Sequence, residues 1–414
     1  MIFIFRSLGG INIKTTANYL EEVNKYSAKN YNPLPLVLEK GHGIFVYDIE
    51  GKKYIDMLSS YSALNYGHRH PKIIDALIEQ ASRITLTSRA FHNTEMGPFL
   101  KKLCEISNFD QGLLMNSGAE AVETGLKAAR KWGHINKGIE ENAAEIIVCS
   151  NNFHGRTISI VSFSTEEQYK KGFGPYTPGF KVIPFGDTKA LKDAITPNTV
   201  AFLMEPIQGE AGVIVPKDGV LKELKEICKD HNILFILDEI QTGFGRTGKN
   251  FAFQHEDASP DILLVGKALG GGVYPVSAML SNKEIMDVFK PGDHGSTFGG
   301  NPLGAAVGIA SLDVLLEEDL ARKSLDLGKY FIDNLKNLNS PYVKEIRGKG
   351  LLIGVEIKEE YGGARKFCEK LMTLGLLCKE THEHTIRFAP PLTITKEEID
   401  YCISIIKDVL CNPI

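Results

Sequence analysis

The chain reads as an α/β protein, with a large domain on a mostly parallel central sheet sandwiched by helices and a smaller α+β domain built from the N- and C-terminal segments. Three observations point there. Five apolar runs of about four to six residues each end in a polar or glycine-rich turn, as strands buried on both faces do. Helical stretches such as Leu221 to Asp230 separate several of them. Beyond Asn301 the order changes to helices followed by paired strands. At 414 residues there is room for more than one domain. The expected division is an N-terminal segment 1–60 that joins the small domain, a large domain 61–305 and a C-terminal small domain 306–414.

In chain order, residues 1 to about 14 read as a frayed end, because the apolar burst Met1 to Phe5 precedes its charge and is too short for a signal peptide. Thr15 to Ser27 has a helical pattern, and Tyr31-Asn-Pro-Leu-Pro35 forces an extended segment. Gly43 to Met57 reads as a hairpin turning at Glu50-Gly51. The polar, aromatic stretch Ser59 to Gly67 is a loop, and Pro71 opens an amphipathic helix to about Ser82. The five runs then follow. Leu113 to Met115 leads into Asn116-Ser-Gly-Ala-Glu120 and a helix through Lys131, and Ile146 to Cys149 leads to Asn152-Phe-His-Gly-Arg156. Val200 to Met204 leads to Glu205-Pro-Ile-Gln-Gly-Glu210, Ile233 to Leu237 to Asp238-Glu-Ile-Gln241, and Ile262 to Val265 to Lys267. After them come helices at Pro302 to Leu316 and Ala321 to Leu338 and two strands within Val343 to Lys358 broken at Gly348 to Gly350. A helix near Gly363 to Leu374, a strand at Thr385 to Phe388 and a closing helix from Lys396 complete the chain.

Bulk properties exclude several classes. A net charge of -4 with both signs interspersed gives no footprint for nucleic acid or an anionic membrane. No stretch approaches the roughly 20 apolar residues of a membrane span. Seven scattered cysteines without a CxxC pair indicate reduced thiols in a cytoplasmic setting, neither a disulfide framework nor a zinc site. His68 and His70 lack a third ligand, so no metal is expected, and Thr381-His-Glu-His384 reads as structural or surface sequence.

The unusual residues follow the strands, and in open α/β sheets ligands bind outside the carboxyl ends of strands. Five segments therefore converge on one edge. Taken alone, Lys267 is a solvated lysine closing a strand; at the mouth of an apolar, glycine-lined site it is also a nucleophilic amine. Ser117, Gly118 and Ala119 stand where a strand turns into a helix, which is either a phosphate seat or an ordinary N-cap. Asp238 after five apolar residues needs a cationic partner, whether a protonated heteroaromatic nitrogen, a helix start or a structural ion pair. Gly243-Phe-Gly-Arg-Thr-Gly248 matches the dinucleotide fingerprint literally and fails on context, lacking the strand immediately before it and the helix after it. An amine, an acid for a ring nitrogen and a phosphate seat on one sheet edge are together the parts that hold pyridoxal 5'-phosphate.

The motifs Asn116 to Ala121, Phe153 to Thr157, Glu205 to Glu210, Asp238 to Thr242, Gly266 to Ala268 and Gly295-Ser-Thr-Phe-Gly-Gly-Asn-Pro302 resemble, in that order, those of the class-III, fold-type I aminotransferases. The resemblance covers nearly the whole chain from about Tyr31. It implies that Phe153 stacks on the cofactor ring, that Gln241 bonds its phenolic oxygen, and that Ser296 and Thr297 reach the cofactor phosphate of a neighbouring subunit in a homodimer. Tyr31, Tyr61, Arg156, Glu205, Glu210 and Arg387 resemble the substrate contacts. Tyr61 directs the expectation to transfer of the δ-amine of L-ornithine to 2-oxoglutarate, since relatives acting on N-acetylornithine or 4-aminobutyrate generally lack that tyrosine. The resemblance also implies that Glu210 masks Arg387 for ornithine and releases it for the dicarboxylate. Tyr66 departs from the family pattern, where glutamine is expected, and is placed beside the substrate pocket. A nonenzymatic binding protein on the same fold is the reading from another class.

Overall fold

The computed structural model describes residues 14–413. The expected frayed end, residues 1 to about 14, lies almost wholly outside them. Its framework is three sheets. Strands β1 (Leu38–His42), β2 (Phe45–Asp48) and β3 (Lys53–Asp56) form an antiparallel meander near the N-terminus. Strands β4 (Gln111–Met115), β5 (Glu145–Cys149), β6 (Phe180–Ile183), β7 (Thr199–Met204), β8 (Leu234–Asp238), β9 (Ile262–Val265) and β10 (Ser277–Ser281) form the central sheet in the order β4-β10-β9-β8-β7-β5-β6. Strands β11 (Val343–Lys349), β12 (Leu352–Ile357), β14 (Lys379–Thr381) and β15 (Thr385–Phe388) form a third sheet, while β13 (Leu376–Leu377) joins the first by running parallel to β3.

All five apolar runs are strands of the central sheet, and their side-chain alternation explains why the runs are continuous. Ile147, Cys149, Phe202, Met204, Phe235, Leu237, Leu263 and Val265 enter one buried cluster. Their neighbours Ile146, Val148, Ala201, Leu203, Leu234, Ile236, Ile262 and Leu264 enter a second. With a period of two, both faces are covered, and polar residues are confined to the strand ends.

Two strands were not legible. β10 is flanked by Pro275 and by serines at both its ends, and it runs antiparallel to both β9 and β4. β6 is the edge strand next to β5, so its outward residues are partly exposed and break the apolar run. Because two antiparallel steps restore direction, β4 points the same way as β9, and the carboxyl ends of all five runs share one edge.

The helices follow the expected order. Thr15 caps Thr16–Tyr26 with a reciprocal bond to Asn18, and Pro71 opens Pro71–Arg83. The helix after β4 runs Gly118–Lys137, six residues past the expected end, and stops at Gly138 in the left-handed region. Arg365 ties the chain ends together by donating to the carbonyls of Asn32 and Pro33 at 3.2 and 3.3 Å. Among the described residues no helix is long and apolar enough to cross a membrane, and no group of three or more His, Cys, Asp or Glu is placed to hold a metal. His68 and His70 are each engaged by a carboxylate, Asp56 and Glu318, at 2.8 Å.

Candidate active site

At the shared edge lies a cavity of about 200 Å³, lined by Gly118, Ala119, Phe153, Glu205, Asp238, Gln241 and Lys267 among others. A second opening of about 400 Å³ meets it at Gly118 and Lys267 and is bordered by Ser60, Ser117 and Tyr274. A larger groove of about 660 Å³ sits at the opposite, amino end of β4, away from these strand ends.

Lys267 leaves β9 with φ at +44°, in the left-handed region that a lysine seldom adopts. Gly266 before it is extended, and the chain turns at once into a single 3-10 turn, Lys267–Gly270. The strain turns the side chain into the cavity instead of along the strand. Burial pushes its amine below the usual range, against the opposing pull of Glu210 and Asp238.

Asp238 ends β8 at 5% exposure. One carboxylate oxygen accepts the Ile240 N–H at 3.0 Å and the other contacts His154 Nδ1 at 2.7 Å. Burial alone would lower the His154 pKa, but the hydrogen bond and the charge of Asp238 outweigh it and raise it. His154 lies inside the Phe153 to Thr157 motif yet carried no assigned role. The signal that could have found it is a histidine next to the phenylalanine expected to stack on the cofactor, on the strand end two places from Asp238 in the sheet.

The helix start is more selective than the sequence suggested. Glu120 closes a capping box, accepting the N–H groups of Ser117 at 2.7 Å and Asn116 at 3.0 Å, while the Ser117 hydroxyl caps Glu120. The N–H groups of Gly118 and Ala119, in the first helical turn, have no acceptor within the helix and remain for an anion. Ser296 contacts Asn116 of its own chain, with Nδ2 donating to Oγ at 2.8 Å, and Thr297 is exposed.

Near enough to Lys267 to act on its charge stands a second group. Arg387 on β15 is 1% exposed and donates to Glu210 Oε1 at 2.6 Å, and the Tyr61 ring lies 4.8 Å from its guanidinium carbon. Burial opposes the Glu210 charge, but Arg387, with smaller help from Lys267 and Gln241, holds its pKa down. Gln241 donates to the same Glu210 oxygen at 3.2 Å, while its own Oε1 is buried without a partner among the described residues. Glu205 accepts the Phe153 N–H at 3.1 Å, and burial pushes its pKa up to about 7.

Arg156 is exposed and stacks 3.9 Å over Tyr169, a ring the sequence reading did not single out, with Phe153 edge-on to that tyrosine. Tyr31 is 74% exposed, at the outer margin near Tyr61. Tyr66 is corrected: it is 1% exposed within the apolar core and lines neither opening, because the turn at Ser59–Ser62, with φ of 46 to 72°, carries it inward.

A lysine amine, a buried carboxylate backed by an imidazole, a free helix start and an aromatic lid at strand ends of a mostly parallel sheet define a cofactor-dependent group-transfer enzyme of the fold-type I kind. The family model for class-III aminotransferases matches residues 26–410, and the chain belongs to that family. It is 59% identical to an ornithine aminotransferase of Brevibacillus brevis over 94% of this chain and 97% of that protein. Against the ornithine aminotransferase of Bacillus subtilis it is 58% identical, over 95% and 97%. Among solved structures, the ornithine aminotransferase of Toxoplasma gondii superimposes with a TM-score of 0.95 at 46% identity, over 97% of this chain and 95% of that one, and is described with partial occupancy of PLP at its active site. An acetylornithine aminotransferase from Elizabethkingia anophelis superimposes with a TM-score of 0.87 at 49% identity, over 96% and 99%.

Proposed function

We propose that this chain is a pyridoxal-phosphate-dependent transaminase that moves the δ-amine of L-ornithine to 2-oxoglutarate. The products are glutamate and glutamate 5-semialdehyde, which cyclises to pyrroline-5-carboxylate. The observation that carries the choice of donor is the Arg387–Glu210 pair against the Tyr61 ring, joined through Gln241 to the cavity that Lys267 lines. A donor amine at Lys267 has its far end directed to this group, and an arginine already engaged by Glu210 leaves the α-carboxylate to Tyr31, Tyr61 and Arg156. When Glu210 withdraws, the Arg387 fork suits the α-carboxylate of 2-oxoglutarate.

The residues present fit the cofactor. Gly118 and Ala119, beside Ser117, would seat its phosphate, Phe153 would cover its ring, Gln241 would meet its phenolic oxygen and Asp238 its ring nitrogen. Bound there, it supplies an aldehyde carbon for amino groups and a ring that accepts electrons. Lys267 Nζ, whose pKa burial pushes below the usual range, takes the δ-carbon proton and returns it. His154 braces the Asp238 carboxylate from behind, so the negative charge stays fixed as the ring nitrogen's partner. Glu205, pushed up to about 7, limits the net negative charge beside it.

The same reading takes the active unit as a homodimer in which Ser296 and Thr297 serve the partner's phosphate; the exposed Thr297 and Phe298 support it. It keeps 61–305 as the large domain, with 1–60 and 306–414 forming the small one, supported by β13 on β3 and by Arg365 on the Asn32 segment. Seven free cysteines accord with a cytoplasmic setting. Transfer from N-acetylornithine is the second reading, favoured by the likeness to the E. anophelis enzyme. Steady-state kcat/KM for ornithine, N-acetylornithine and 4-aminobutyrate decides between them. Ornithine is expected to lead, and a lead by either rival overturns the assignment.

A further inference from the structure

Arg246 is wholly buried, and its hydrogen-bond partners include no carboxylate. Its Nη1 donates to the carbonyls of Leu351 at 2.9 Å and Pro390 at 2.6 Å, and its Nη2 to Asn65 Oδ1 at 2.6 Å. Asn65 in turn donates to the Phe244 carbonyl at 3.0 Å and accepts the Leu392 N–H at 2.8 Å on its own carbonyl. Four chain segments therefore meet at two side chains. One is the turn that carries Tyr61, four residues before Asn65. Another is the segment leaving β15, three residues after Arg387. The third is the β11–β12 turn, and the fourth is the loop that follows Asp238 and Gln241 on β8. A buried guanidinium held only by neutral oxygens is a costly way to join them, since apolar side chains would fill the space with less desolvation. What the fork adds is direction: Nη1 holds the Leu351 and Pro390 carbonyls and Nη2 the Asn65 amide oxygen, fixing three segments relative to one another. Its Nε has no partner among the described residues.

We propose that Arg246 and Asn65 are positioning residues for substrate recognition, setting how far Tyr61 and Arg387 stand from the Lys267 end of the site. The proposal rests on reading Arg387 and Tyr61 as the carboxylate end. Neither residue lines the cavity or the second opening, so replacing their side chains is expected to move carboxylate binding and leave the cofactor end as it is.

The test uses the purified holoenzyme and two variants, Arg246→Lys and Asn65→Ala. The second leaves the guanidinium in place and is the milder change for folding. Glutarate, a dicarboxylate that cannot be aminated, is titrated by calorimetry, and KM and kcat for 2-oxoglutarate are measured with ornithine as donor. Expected is a weakening of glutarate binding and a rise in KM of about tenfold, the scale of one lost hydrogen bond to a charged group. The visible cofactor absorbance is expected to be unchanged and kcat to stay within about threefold. Glutarate affinity and KM equal to wild type in a folded variant, even one with a lower Tm, reduce the pair to a structural role and overturn the proposal. So does lost cofactor absorbance with glutarate binding intact. Failure of the wild type itself to bind glutarate counts against the carboxylate reading of Arg387, and failure to turn over ornithine against the donor alone.

Discussion

The Lys267 end and the Arg387 end of the site are built differently. The first is assembled from carboxyl ends of β4, β5, β7, β8 and β9, neighbours in one rigid sheet whose faces are both buried. The second gathers Tyr61 from the N-terminal turn, Glu210 from the loop after β7 and Arg387 from β15 of another sheet. Its parts are held by long-range polar contacts such as Arg246 to Pro390. On the proposed assignment, chemistry common to a family sits where the scaffold is stiff, and selection among substrates sits where separate segments must be brought into register.

Substitutions at the two ends should therefore fail differently. The largest effect belongs to Lys267→Ala, which removes the proposed proton carrier: turnover should fall by about 10³-fold or more while the protein still folds and binds the cofactor noncovalently. Single-turnover kinetics with ornithine check it, and retained transamination would overturn the assignment of the sheet edge as the reactive end. Gly350→Ala strikes the other end. Gly350 has φ of +56°, and an added Cβ would stand 2.5 Å from the Thr247 carbonyl carbon and 2.7 Å from the Arg246 oxygen, both backbone. A stability loss of about 2–3 kcal/mol is expected from strain plus displaced backbone. Gly138→Ala, at φ of +66° with open space around it, should cost only about 1 kcal/mol. Urea midpoints of the two variants compare them, and equal losses would show that the contact around Arg246 is slack.

Glu210→Ala separates the ends chemically. Freed from its partner, Arg387 can take the α-carboxylate of ornithine and present the α-amine instead. The ratio of α- to δ-transfer should rise about ten- to hundredfold, the range set by one charged hydrogen bond. Product analysis distinguishing 5-amino-2-oxopentanoate from pyrroline-5-carboxylate reads it, and wild-type regiospecificity would remove Glu210 as the mask.

The same contrast governs what could be read from the sequence. Continuous apolar runs ending in odd polar residues marked five strands and their common edge, because burial on both faces leaves no other pattern. Asp238 and Lys267 were legible as the first unusual residues after such runs. The proposed carboxylate end was available only through resemblance: nothing local connects Tyr61, in the turn after β3, with Arg387 on β15 of another sheet. Arg246 was visible inside a glycine-rich motif but read as loop, since the acceptors that bury it come from Asn65, Leu351 and Pro390. That the Ser117 N–H is taken by the Glu120 side chain three residues on was not legible, because the capping box reads equally as an ordinary helix start. Tyr66 went to the core because four successive positive φ values, Ser59 to Ser62, redirect the chain, a geometry that serine-rich sequence does not announce.

The last test probes the Lys267 end through pH. Glu205 is 7% exposed, and burial is the largest influence on it, so its carboxyl keeps a proton in the folded protein up to about 7, against about 4.5 when unfolded. Between those values the unfolded chain carries the charge and the folded chain does not. The unfolded state therefore binds fewer protons, and this group's contribution to stability falls as pH rises, by at most about 1.4 kcal/mol per unit. Glu205→Gln has no proton to lose and should flatten that part of the decline. Glu239, also pushed up to about 7 by burial, keeps the remainder of the slope in both proteins. Thermal melts of the two proteins from pH 5 to 8 should show curves that separate steadily in favour of the variant. Parallel curves would mean that Glu205 ionises normally beside His154 and that the Asp238 end carries one more negative charge than its burial implies.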